Sequence, residues 1–154
     1  MNIRIAAVAA LLSLAGAGEA WADDWRIVSA SREEFLAIDA STIERSGGRT
    51  LYWSLSLYRV TQSDGVDYYM NRGAIDCDAM TIELLTELQY NASHVVIANY
   101  TPNAGPSPIP PSSVGATLYR TLCHGQWEDP GRGISTVSQL VTEGRPALER
   151  MPVR

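Results

Sequence analysis

The chain predicts an α+β fold, on three observations. Residues 51–60 alternate apolar and polar side chains with period two, and Ser63-Asp64-Gly65 then turns the chain back into the aromatic, β-prone run 66–77. After a proline-rich interval, Val114, Leu118 and Leu122 fall on one helical stripe. Strands first and a helix afterwards is the segregation that defines the class.

The first 25 residues carry an address. Arg4 precedes an almost wholly apolar run over 5–15, and Ala20-Trp21-Ala22 presents a small-x-small site just before Asp23-Asp24. That is the arrangement of a secretory signal cut after Ala22. The apolar run is about half of the roughly 20 residues that span a bilayer, so 1–22 reads as a signal peptide and not as an anchor. Residues 23–154 suffice for one compact domain, divided into a sheet domain over 23–128 and a C-terminal extension over 129–154.

Within that domain Trp25 and Ile27 alternate with Arg26 over 25–30, as in a short half-buried strand. Residues 35–40 form a second apolar stretch, with turn chemistry at Asp39-Ala40-Ser41 and again at Ser46-Gly47-Gly48. In 51–60, Leu51, Trp53, Leu55 and Leu57 share one face, while Tyr52, Ser54, Ser56 and Tyr58 share the other. Gly73 marks a bulge in the returning strand. Residues 81–90 fit a helix through Leu84, Leu85 and Leu88 and equally a strand face through Ile82, Leu84, Leu88 and Tyr90, and the pattern does not decide. Asn91-Ala92-Ser93 is a turn before the β-branched run 95–97. Pro102, Pro106, Pro108, Pro110 and Pro111 make 101–111 an extended surface loop. Ser112 or Ser113 can then cap a helix over 114–123, which Gly125 closes. Beyond Glu128-Asp129-Pro130-Gly131, residues 134–141 can form one more short helix, and 145–154 reads as a frayed tail.

The net charge is −5, and losing Arg4 and Glu19 with the signal leaves it there. Such a surface repels nucleic-acid phosphates and anionic membranes. The sequence has no lysine, so every fixed side-chain cation is arginine, and Schiff-base and P-loop chemistry are excluded. Cys77 and Cys123 lie 46 residues apart in the exported part. In an oxidising compartment they are expected to form a disulfide, with loop-closure entropy contributing on the order of 4 kcal/mol. A metal site, the rival for these thiols, lacks paired close spacing, since only His124 stands beside Cys123.

The order of several landmarks resembles the surface-adhesin protein E family. They are Trp25 at the mature start, Ile38-Asp39-Ala40-Ser41-Thr42-Ile43, Gly47-Gly48 leading into Leu51-Tyr52-Trp53, Ile75-Asp76-Cys77, and Ile109-Pro110-Pro111-Ser112-Ser113-Val114 leading to Cys123. The resemblance implies an antiparallel sheet of about six strands with a C-terminal helix packed on it, a strand over 81–90, and Cys77 to Cys123 pairing. Adhesins of this type are lipid-anchored and bind host matrix proteins such as vitronectin and laminin. This chain has no cysteine at its cleavage site to carry a lipid, so a soluble periplasmic or secreted protein is expected.

Candidate chemistry is sparse. His94 and His124 are the only imidazoles, the first following a turn and the second at a helix end favoured by the helix dipole. Asp76 and Asp78 flank Cys77, and Asp64 and Asp67 sit in a hairpin, all without calcium-loop spacing. Ser54 and Ser56 lack a nucleophile-elbow turn. The tyrosines are the stronger signal, because Tyr52 and Tyr58 share a strand face and Tyr68 and Tyr69 fall on its hairpin partner. They form a candidate partner-binding patch, unless a helix covers that face. The expected function is an exported, non-enzymatic binding or adhesin-like module without cofactor, metal or nucleic acid. Its partner would be a matrix or envelope protein, or a second copy of the chain. The alternatives are a small periplasmic enzyme or enzyme inhibitor using loop 101–111, and a purely structural envelope protein.

Overall fold

A computed structural model describes residues 22–128 and 133–150. The signal-peptide reading of 1–22 lies outside the described residues except for Ala22. In chain order the elements are β1 (Trp25–Ala30), β2 (Glu34–Ser46), β3 (Arg49–Tyr58), β4 (Tyr68–Asp76), β5 (Thr81–Tyr90), β6 (Val96–Tyr100), β7 (Ser107–Pro108), α1 (Val114–His124) and α2 (Val137–Glu149). β1 to β6 form an antiparallel meander in sequence order, and β7 pairs with the outer edge of β5. Residues 81–90 are therefore a strand, and the expected α+β architecture holds.

Local chemistry explains the connections. Gly47 and Gly48, at φ 58° and 80°, make the mirror-image two-residue turn that matches the twist of β2 and β3. The turn chemistry at Asp39 makes a bulge instead, and β2 continues to Ser46. The buried Asp39 Oδ1 accepts hydrogen bonds from the backbone N–H of Asp24 (2.9 Å) and Ser41 (3.0 Å) and from the Ser41 hydroxyl (2.7 Å), which satisfies the donors that the ladder loses there. The bulge expected at Gly73 lies between Arg72 and Gly73. Ser113 caps α1 by accepting from the Ala116 N–H at 3.1 Å, and left-handed Gly125 closes it.

The two helices lie on opposite faces of the sheet. Phe35, Ala37, Leu55, Leu57 and Tyr68 pack with Leu140, Val141 and Leu148 of α2, whereas Leu36, Ile38, Tyr52 and Ile75 pack with Leu118 and Leu122 of α1. Alternate residues of β2 go to alternate helices, as strand geometry requires. The Cys77 to Cys123 disulfide, with Cα atoms 5.7 Å apart, fastens α1 to the end of β4.

The C-terminal extension differs from its sequence reading. The sequence places a short helix at 134–141 and a frayed tail at 145–154, yet α2 runs from Val137 through Gly144 and Pro146 to Glu149, so 145–149 is not a frayed tail. Gly144 allows the helix to lie flush on the sheet: a Cβ there would come within 2.1 Å of the Phe35 ring. Arg145 then donates to the buried carboxylate of Asp67 at 2.6 Å and to the Arg59 carbonyl at 3.1 Å, while the Thr61 hydroxyl donates to Asp67 at 2.7 Å. These contacts and the buried Leu148 offset the proline penalty of about 3 kcal/mol. Gly144→Leu is expected to lower stability by about 1–3 kcal/mol through overpacking. Arg145→Ala should lower it by about 1.5–3 kcal/mol, by removing a hydrogen bond to a buried charge. Urea denaturation checks both, and an unstructured tail would make both substitutions silent.

Candidate functional site

The register of β3 and β4 decides where the four tyrosines go. Ser56 pairs with Tyr69 and Leu57 with Tyr68, so the two consecutive tyrosines point to opposite faces. Tyr69 meets Tyr58 edge to face, ring centroids 5.6 Å apart at 76°. Tyr68 is 1% exposed on the α2 side, stacked on Tyr90 at 4.7 Å, with its hydroxyl 3.1 Å from His94 Nδ1. Tyr52 is 4% exposed beneath α1. Gly73 makes room for its phenol, since a Cβ there would sit 2.5 Å from the Tyr52 hydroxyl. Of the sequence-predicted patch, the structure brings together Tyr58 and Tyr69; Tyr52 and Tyr68 are core residues.

The area around Tyr58 and Tyr69 is uncovered because α1 is short. Eleven residues make a helix about 16 Å long, against about 33 Å for the ten residues of β3 or β5. Beyond the helix the same face carries Glu34 opposite Tyr58, Ser56, Asn71 opposite Glu87, Gln89, and Tyr100 opposite Glu87. None of these is basic. Burial raises both phenols above the usual range, with Glu34 adding to the rise at Tyr58 and Asp64 and Glu87 adding at Tyr69. Beside this area a groove of about 190 Å³ is lined by Leu36, Ser54, Ser56, Asn71 and Leu84 of the sheet and by Leu118 of α1.

The other candidates are engaged locally. Asp76 Oδ1 accepts from the N–H of Asp78 and Ala79, and Asp64 Oδ1 from that of Val66, so both carboxylates shape turns. His124 packs edge to face on Tyr119 at the end of α1, and its neighbour Cys123 is in the disulfide. His94 adopts φ 59° in the β5 to β6 turn and borders a cavity of about 490 Å³ with Asp67, Thr142, Arg145 and Glu149. No group of three or more potential metal ligands occurs among the described residues. Loop 101–111 is mostly exposed, although Ser107–Pro108 pairs with Thr81 and Ile82 as β7.

A family model described as surface-adhesin protein E matches residues 25–124. The chain belongs to the surface-adhesin protein E family. No curated protein and no solved structure gives a significant match. The family match runs from the start of β1 to the end of α1, so the sheet, the disulfide and the open area around Tyr58 and Tyr69 all belong to the adhesin domain. The helix α2, with Gly144 and Arg145, lies beyond it.

Sequence reasoning missed Glu34, Asn71, Glu87 and Tyr100 as neighbours of the tyrosine pair. The β-alternation that placed Tyr58 also places the others, once the register between strands is known.

The phenols give a pH expectation. Burial holds Tyr68 up to about 12 and raises Tyr52 further still. In the unfolded chain both lose their protons near pH 10, while in the fold they keep them. Their contribution to stability is therefore intact below about pH 10 and is lost as pH rises through the folded values. With no lysine in the chain, tyrosines dominate side-chain titration in that range. Urea unfolding at stepped pH should show stability falling above about pH 10, and Tyr68→Phe should flatten the fall.

Proposed function

We propose that the protein is an exported, non-enzymatic binding module that presents the open part of its α1 face to a protein partner. The observation that carries this reading is the Tyr58 to Tyr69 pair, an aromatic contact left at the surface of the sheet. Paired tyrosines offer contact area at low entropy cost. Family membership supports adhesion as the role, and the disulfide supports an oxidising compartment. The signal-type N-terminus supports release into the periplasm or medium after cleavage behind Ala22, so the intact mass of the exported protein should begin at Asp23. In this reading 23–128 is the binding domain, and α2, from the C-terminal extension 129–154, covers its other face. Matrix proteins such as vitronectin and laminin, and envelope proteins, are the partners to try first.

Tyr58→Ser with Tyr69→Ser should weaken partner capture by about 2 kcal/mol with little change in melting temperature, because both rings are only half-buried. Unchanged capture by the double variant would sink the reading.

The exposure of Val95 (55%), just before β6, and of Val96 (45%), Ile97 (45%) and Tyr100 (56%) within it supports association with a second copy of the chain. Sedimentation at rising concentration tests this. The cavity beside His94 is where an enzymatic activity would reside, but its buried Asp67 is already bound by Arg145 and Thr61. His94→Ala should leave any hydrolysis by the protein nearly intact, and a hundredfold loss would favour an enzyme instead.

A further inference from the structure

We propose that the open half of the α1 face takes an arginine-bearing extended segment of the partner, with guanidinium groups set against Tyr58 and Tyr69 between Glu34 and Glu87. The proposal rests on the reading that this face is the binding face, and adds the chemistry of what it binds.

The charge on this face has one sign. Glu34 stands directly across from Tyr58, Glu87 across from Asn71, and Asp64 close enough to raise both phenols. No ion pair among the described residues engages Glu34, Asp64 or Glu87, while Arg26, Arg49, Arg59, Arg72 and Arg145 all pair with other carboxylates. The negative field is therefore not neutralised from within and is complementary to a cation. The aromatic pair adds to it, since a cation over a tyrosine face is attracted by the ring quadrupole.

Asn71 supplies the independent observation. Its Oδ1 is out of solvent and accepts no hydrogen bond, and the residue lines the groove beside the pair. Buried acceptors without donors are rare because each carries its full desolvation penalty. A donor arriving with a ligand removes that penalty. Of the two cationic side chains, arginine fits better: its flat guanidinium stacks on aromatic rings and offers five donors to several acceptors, and its methylene stem suits the apolar lining that Leu36 and Leu118 give the groove. Lysine has one compact, strongly hydrated charge.

The test uses the mature protein and a synthetic nonapeptide of alternating arginine and serine, with lysine and citrulline versions, followed by calorimetry at low salt. Binding is expected for the arginine peptide, at least threefold weaker for lysine, and absent for citrulline. Glu34→Gln with Glu87→Gln should weaken it at least tenfold, whereas Glu143→Gln with Glu149→Gln, on the opposite face, should stay within twofold. Asn71→Leu should weaken binding while raising the melting temperature, a combination that a purely structural asparagine would not give. Equal losses from the two charge-removing pairs would reduce the effect to net charge and overturn the proposal, as would failure of the arginine peptide to bind. Capture of a protein partner that depends on Tyr58 and Tyr69 but ignores Glu34→Gln and Glu87→Gln would also overturn it, while leaving the binding face itself standing.

Discussion

The middle of strand β3 is hidden on both faces, and the rest of the structure follows from that. Leu55 and Leu57 are wholly out of solvent on one side, and Tyr52 and Ser54 are nearly so on the other. A sheet of this kind needs two covers. One is α1, held by the disulfide to Cys77 and by caps at both ends. The other is α2, held by close approach at Gly144 and by the Arg145 to Asp67 contact. The fastenings differ in kind: a covalent link needs an oxidising environment, whereas a glycine contact and an ion pair need only the sheet already in place.

The mismatch in length between α1 and the strands beneath it creates the candidate site. A longer helix would bury Tyr58 and Tyr69 as α1 buries Tyr52. The short one leaves an aromatic and acidic area next to a groove, on a face whose other half is core. Rigidity follows from this arrangement, because Tyr58 and Tyr69 project from strands whose alternate side chains, Leu57 and Tyr68, are locked into the α2 core. A partner would meet a surface that needs little ordering on contact.

Much of the fold was legible in the sequence. The bounds of β1 and α1, the alternation of β3, the Gly73 bulge and the cysteine pairing follow from side-chain period, capping residues and redox chemistry, all of which act locally or through one covalent bond. Three features were not legible. The turn signal at Asp39 became a bulge because its carboxylate found a third donor in Asp24, the residue just before β1 and 15 positions away in the chain. The helix through Gly144 and Pro146 exists because tertiary contacts with Phe35 and Asp67 override local propensity. The sorting of Tyr52, Tyr58, Tyr68 and Tyr69 depends on where a helix ends above the sheet and on a register one residue wide. Composition shows that a sheet has two faces; it does not show how far each cover reaches.

The position of α2 in the chain bears on biosynthesis. The element that shields Leu55, Leu57 and Phe35 is the last of the described elements, separated from the sheet it covers by α1 and the segment after it. A polypeptide emerging from its N-terminus can pair every strand and close its disulfide while one apolar face still lacks its lid. Until α2 arrives, that face is the part of the emerging chain most in need of a chaperone's protection. A premature stop after His124 would keep the whole adhesin region and yet leave that surface permanently bare.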